Sequence, residues 1–225
     1  MTRWLLLAIL LGLAGCKASL AGPTAIVPTL PPPSPTADGW AHVTSEGIQL
    51  SILTPPGWQA ISNEYGILLA EHADLVQNDP PQGMLIYVFV PKMDHIPLAR
   101  SGSNRAWTVL DHVARLPSYT GNARVGAAVP FEWDHHDAAY YLLSDSDGSR
   151  TMVLGVALPG GDKLVVCNAS TTAGDASRIR EILPNVLASL TVDGQRMDVD
   201  ALKHLPDPLL FPAYEVTPAA APPPV

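Results

Sequence analysis

Cysteine is scarce in this chain, with two among 225 residues, and Cys16 and Cys167 are too few for a disulfide framework. The fold must therefore stand on its apolar core. Basic residues are also few, 13 Lys+Arg against 21 Asp+Glu, for a formal charge of −8. Neutralising phosphates needs clustered Lys and Arg, so this balance excludes nucleic acid as a partner and excludes docking on anionic headgroups through a basic patch. Catalytic signatures are missing as well. There is no Gly-x-Ser-x-Gly elbow, no phosphate-cradling glycine loop and no helical His-Glu-x-x-His, so no motif points to an enzyme or to a cofactor. Disorder through low hydrophobicity is excluded for most of the chain, because 47% of it is hydrophobic and only 15% charged.

What is present begins with an address. Arg3 is a short positive region, residues 4–13 are an apolar run too short to cross about 30 Å of hydrocarbon, and small residues follow. That order is the order of an export signal. Its end, Leu13-Ala14-Gly15-Cys16, resembles the lipobox of bacterial lipoproteins. In that family the cysteine thiol receives a diacylglycerol and a peptidase cuts just before it. The resemblance implies a signal peptide over residues 1–15, lipid on Cys16 and an extracytoplasmic location on a bacterial membrane. The alternative is an ordinary cleaved signal that happens to end at a cysteine. Each buried CH₂ contributes about 0.8 kcal/mol, so two or three acyl chains would hold the protein durably. With Cys16 acylated, Cys167 has no partner within the chain. It sits in Leu164-Val165-Val166-Cys167, a buried-strand pattern in which a free thiol behaves as a small hydrophobe.

Two proline-rich stretches bracket the rest. In residues 22–38, six prolines interleaved with Thr, Ser and Ala can form neither helix nor ladder, so residues 16–38 read as a lipidated N-terminus and extended tether. A second such tract gives a C-terminal tail over 196–225, whose group Leu209-Leu210-Phe211 is expected to dock back on the domain, with binding to a partner as the alternative. Loss of that tail from residue 205 onward is expected to matter far less than a core substitution.

Residues 39–195 read as one domain. Residues 47–53 alternate apolar and polar as a half-buried strand does, Pro55-Pro56-Gly57 turns the chain, and residues 66–70 and 84–90 are further strands, the latter central. Ser103 can cap a helix in which Ala106, Val109, Leu110 and Val113 recur at helical spacing up to Pro117. Residues 138–143, 151–158 and 164–168 then form a meander, joined by the turn compositions Asp145-Ser146-Asp147-Gly148 and Pro159-Gly160-Gly161-Asp162. After Asp175, a possible N-cap, the stripe Ile179, Ile182, Leu183, Val186, Leu187, Leu190 predicts a closing helix, kinked or broken at Pro184. The fold class expected is α+β, a single antiparallel sheet flanked by helices.

That order of elements, with Pro56-Gly57-Trp58 after the first strand and Val186-Leu187-Ala188-Ser189-Leu190 closing the last helix, resembles the PsbP-like superfamily. The superfamily includes extrinsic photosystem II subunits, a Ran-binding import factor and bacterial lipoproteins of unknown role. The resemblance implies a binding or accessory domain rather than an enzyme, and it carries no residue-level motif to this chain.

One cluster has ligand chemistry. Trp133-Asp134-His135-His136-Asp137 offers two imidazoles and two carboxylates, which suit zinc, copper or nickel. Neighbouring strand residues face opposite sides, so a polar hairpin turn is the simpler reading, and a metal would need a further ligand from His42, His72, His95 or His112. Asp145-Ser146-Asp147-Gly148 has no later Glu to complete a calcium loop and reads as a turn. Trp40, Trp58, Trp107 and Trp133 are candidate contact residues, with core packing as the alternative. The function expected is a membrane-anchored lipoprotein with a non-catalytic accessory or binding domain, acting on an envelope protein or a small ligand. The alternative is a metal-handling lipoprotein using the His135/His136 turn.

Overall fold

The computed structural model describes residues 39–76, 83–93, 103–160, 162–171 and 176–214. The lipobox with Cys16, the signal peptide, the tether, His95, Asp175 and residues 215–225 lie outside them. The meander is where the sequence places it. Strands β8 (His136–Ser144), β9 (Arg150–Ala157) and β10 (Leu164–Thr171) pair antiparallel in sequence, with Tyr141 opposite Val153 and Leu154 opposite Cys167. Nearly every residue of the three is buried, whichever face it points to. Such a sheet needs cover on both sides.

Strand β5 (Met84–Phe89) continues the sheet from β10, and β4 (Gly66–Ala70) and β3 (Gln59–Ser62) extend it to one edge. On the opposite side β8 pairs with both β6 (Arg124–Val125) and β7 (Val129–Trp133). The remaining strands do not join it. β1 (Trp40–Ser45), β2 (Ile48–Leu53), β11 (Thr191–Val192) and β12 (Gln195–Arg196) form a second, four-stranded antiparallel sheet. The expectation of a single sheet is therefore corrected to two among the described residues. The reason lies in β2, whose alternation buries Leu50 and Ile52 completely. That apolar face packs in the same core as Ile86, Val88 and Leu154 of the larger sheet, so the two sheets meet through side chains rather than through hydrogen bonds.

Helices complete the cover. Helix α1 (Arg105–Ala114) packs Ala106, Val109 and Leu110 on the outer face of β8 and β9, against Tyr141, Leu143 and Val153. It approaches closely because β9 carries Gly155, where a Cβ would lie 3.2 Å from Leu110 Cδ1. Its cap is Asn104 rather than Ser103. The Asn104 side chain accepts from the Trp107 N–H at 2.8 Å while its amide donates to the carbonyls of Phe131 and Ala138 at 3.1 and 2.9 Å. One side chain thus fixes both the helix start and its seat on the β7–β8 hairpin. A short helix, α2 (Pro117–Thr120), follows, with Pro117 at its first turn.

The closing helix, α3 (Ser177–Leu187), buries Ile179, Leu183, Val186 and Leu187 and runs on through Pro184 instead of splitting there. Its other duty lies beyond residue 195. Arg180 donates to the carbonyls of Lys203, Leu205 and Pro206 at 3.1 to 3.2 Å, and Met197, Leu202, Leu205 and Leu209 are buried in the main core. Helix α4 (Asp200–Lys203) belongs to this segment. The chain from 196 to about 211 is therefore part of the folded unit, which differs from the expected boundary at 195. The spacing of single leucines between prolines hides this, since each leucine is anchored separately and no periodic stripe results. As the sequence suggested, Leu209 docks; Leu210 beside it stays 79% exposed.

Leu183→Ala is expected to destabilise by about 2–5 kcal/mol, as large-to-small core changes do. Truncation before Leu205 removes two buried leucines and acceptors of Arg180, and urea midpoints should show a loss comparable to Leu183→Ala. A truncated protein as stable as the full chain would contradict this packing.

Glu71 and Arg178 tie the loop after β4 to the start of α3, with guanidinium-to-carboxylate distances of 2.6 and 3.0 Å, and Glu71 also accepts from the Met84 N–H. The Arg178 guanidinium holds the Glu71 carboxyl below its ordinary value of 4.5. A depressed carboxyl contributes stability that is present above its unfolded value and lost as pH falls through the folded one. Glu71→Gln should therefore lower stability at neutral pH, and the gap between variant and wild type should close as thermal midpoints are followed below about pH 4.

Candidate functional site

Three two-residue turns shape one end of the molecule. Glu46-Gly47, Asp134-His135 and Asp193-Gly194 have positive φ at both positions, 49 and 78°, 50 and 61°, and 50 and 78°. They join Ser45 to Ile48, Trp133 to His136 and Val192 to Gln195 as directly opposed pairs. Doubly left-handed turns match the twist of antiparallel hairpins and normally want glycine second. The turn at Asp134 has His135 there instead. The polar-hairpin reading of this cluster thus holds.

The turns are held together by their own polar groups. Asp193 accepts from the Gln49 N–H at 2.8 Å and its own N–H returns to the Gln49 carbonyl at 2.8 Å. Asp134 accepts from the Asp198 N–H at 3.3 Å, and the indole of the buried Trp133 donates to the Asp198 carbonyl. Lys163, at the start of β10, reaches the Glu46 carbonyl at 2.6 Å. Between these contacts lies a cleft of about 430 Å³, with Ile48, Leu158, Val192 and Met197 as its apolar wall. Asp134, His136, Asp162, Lys163, Asp193 and Arg196 supply its polar lining.

The two histidines part company here. His136 lines the cleft, whereas His135 at the hairpin tip is 94% exposed and hydrogen-bonded to Glu132 at 3.3 Å. Among the described residues, no three His, Cys, Asp or Glu side chains are grouped so as to hold one metal ion. His42 is engaged with Ser51 at 2.8 Å on the outer face of the smaller sheet. Cys167 lies in the core, where burial pushes its thiol up to about 12, so it stays protonated at neutral pH.

The tryptophans divide similarly. Trp133 is buried, Trp58 packs against the main core, and the Trp107 indole donates to the Ala128 carbonyl at 3.1 Å. Trp40 stacks on His42 on the smaller sheet, with ring centroids 6.3 Å apart. A second groove of about 350 Å³ runs beside β7, lined by Val129, Phe131 and Tyr140 and by Ala201, His204 and Leu205. Sequence reasoning found Asp134 and His136 but missed Asp162, Lys163, Asp193 and Arg196, which are scattered over the chain and share no spacing. The available signal was Asp193-Gly194, a strong hairpin turn composition.

Solved structures similar to this chain include a cyanobacterial PsbP (CyanoP) from Synechocystis, with TM-score 0.43 and 14% identity, covering 73% of this chain and 99% of that one. Another is the Ran-binding protein Mog1p from Saccharomyces cerevisiae, with TM-score 0.42 and 11% identity, covering 64% of this chain and 90% of that one. No family model and no curated protein matches the chain.

A non-glycine residue in the left-handed region carries about 1 kcal/mol or more of backbone strain, partly offset by the extra unfolded-state entropy of glycine. His135→Gly is therefore expected to leave the domain as stable or up to about 1 kcal/mol more stable by thermal denaturation. A marked loss would mean that the imidazole at the tip is held by contacts other than Glu132.

Proposed function

We propose that this chain is an extracytoplasmic bacterial lipoprotein, anchored through lipid on Cys16, whose domain is a non-catalytic binding module for an envelope protein or a small ligand. The anchor rests on Leu13-Ala14-Gly15-Cys16 at the end of the apolar run. The binding role rests on one observation, the cleft among the three turns, which combines an apolar wall with charged groups of both signs. Binding rather than catalysis is supported by how the reactive groups are employed. Asp134 and Asp193 hold backbone N–H groups, and the Cys167 thiol is shut in the core.

Expressed with its leader in bacteria fed an alkyne-tagged fatty acid, the wild type should carry label and enter the detergent phase. Cys16→Ser should do neither. Label retained by Cys16→Ser would overturn the anchor. For the domain, hydrogen exchange of the purified full chain should slow at residues 134–136 and 191–197 on adding envelope extract. Slowing confined to other segments would move the binding site away from this cleft.

A further inference from the structure

The charges of the cleft are not spent on one another. Asp134, Asp162 and Asp193 line it together with Lys163 and Arg196, yet the ion pairs among the described residues leave all five out. Lys163 gives one bond to the Glu46 carbonyl, and Arg196 gives its Nε–H to the Ala188 carbonyl. Two further ammonium protons of Lys163 and both terminal nitrogens of Arg196 have no partner among the described residues, and neither does the Asp162 carboxylate. Opposite charges that border one space without pairing leave both signs open to a third molecule.

Resting on the binding reading above, we infer that the cleft takes a zwitterionic ligand, a short apolar peptide with both termini free. Its ammonium meets Asp162, whose carboxylate is unengaged among the described residues. Its carboxylate meets Lys163 and Arg196, whose fork of donors suits a carboxylate in two-pronged fashion. Its side chains lie on Leu158, Val192 and Met197. The size agrees with the chemistry. About 430 Å³ is at the small end of ligand sites, which run from roughly 300 to 1,000 Å³, and it suits one or two residues rather than a long chain. A long peptide would also bring only one terminus to the cleft and leave the charges of the other sign without a partner. Both remaining cations being tethered by one backbone bond each, they are held in place before the ligand arrives, which lessens the entropy lost on binding.

The test uses the full-length protein in detergent and calorimetry with three probes: leucyl-leucine, its N-acetyl form and its C-terminal amide. The free dipeptide is expected to bind about tenfold or more tightly than either blocked form, since a bond to a charged group contributes about 1.5–3 kcal/mol. Asp162→Asn should weaken the free dipeptide about tenfold and leave the N-acetyl form unchanged. Arg196→Gln should weaken the free dipeptide and leave the amide unchanged. Arg196 also holds the Ala188 carbonyl, so the exposed Asp162, which holds nothing, keeps the test valid if the arginine variant unfolds. Equal affinity for all three probes would overturn the inference while the binding reading survives. No binding of any probe by a folded protein also overturns it. If envelope extract nevertheless slows exchange at 134–136 and 191–197, the binding reading stands and only the ligand class is wrong.

Discussion

The structure depends on one constraint: β8, β9 and β10 are apolar on both faces. A sheet that is buried on one side only can leave polar residues to water on the other, but here nearly every position of the three strands is buried. Two covers are therefore obligatory. Helix α1 provides one, seated by the three hydrogen bonds of the Asn104 side chain. The smaller sheet, helix α3 and the segment 197–211 together provide the other, and each of them brings only part of the apolar area required. The C-terminal segment joins the fold for this reason. Without Leu205, which lies beside Phe131 and Tyr140, the inner face of the large sheet would be more open along β7 and β8.

The cleft is a by-product of how the second cover is attached. Antiparallel hairpins with two-residue loops must turn sharply, and three of them end at the same place because the two sheets stack with their loops together. The carboxylates of Asp134 and Asp193 satisfy backbone N–H groups, as turn carboxylates do, and Ile48, Leu158, Val192 and Met197 line the space left between the turns. Side chains from both sheets then face one space without having been selected by either sheet alone. Charges placed there by two different sheets have no register that would pair them.

Elements with a strong local pattern were legible. The meander, the central strand 84–89 and both longer helices follow from alternation or from helical spacing within a dozen residues. Strand β1 was not, because Trp40-Ala41-His42-Val43 follows a proline-rich stretch directly and buries only one small residue of that group, Ala41. The cap fell on Asn104 instead of Ser103 because Asn104 alone can also serve Phe131 and Ala138, contacts about thirty residues away that no local rule contains.

By itself the sequence determined the excess of acidic over basic residues, strands β2, β4, β5 and β8 to β10, the two longer helices, and the hairpin nature of the Asp134-His135 cluster. These are properties of neighbours in the chain, where propensity and periodicity act. Only the tertiary structure decided that there are two sheets, that residues 197–211 belong to the core, and that Asp162, Lys163 and Arg196 border one cleft with Asp134. Those outcomes depend on which apolar faces find each other across a hundred residues. Pairing between distant strands is set by shape and burial in three dimensions, and the one-dimensional pattern constrains it only through the total apolar area that must be covered.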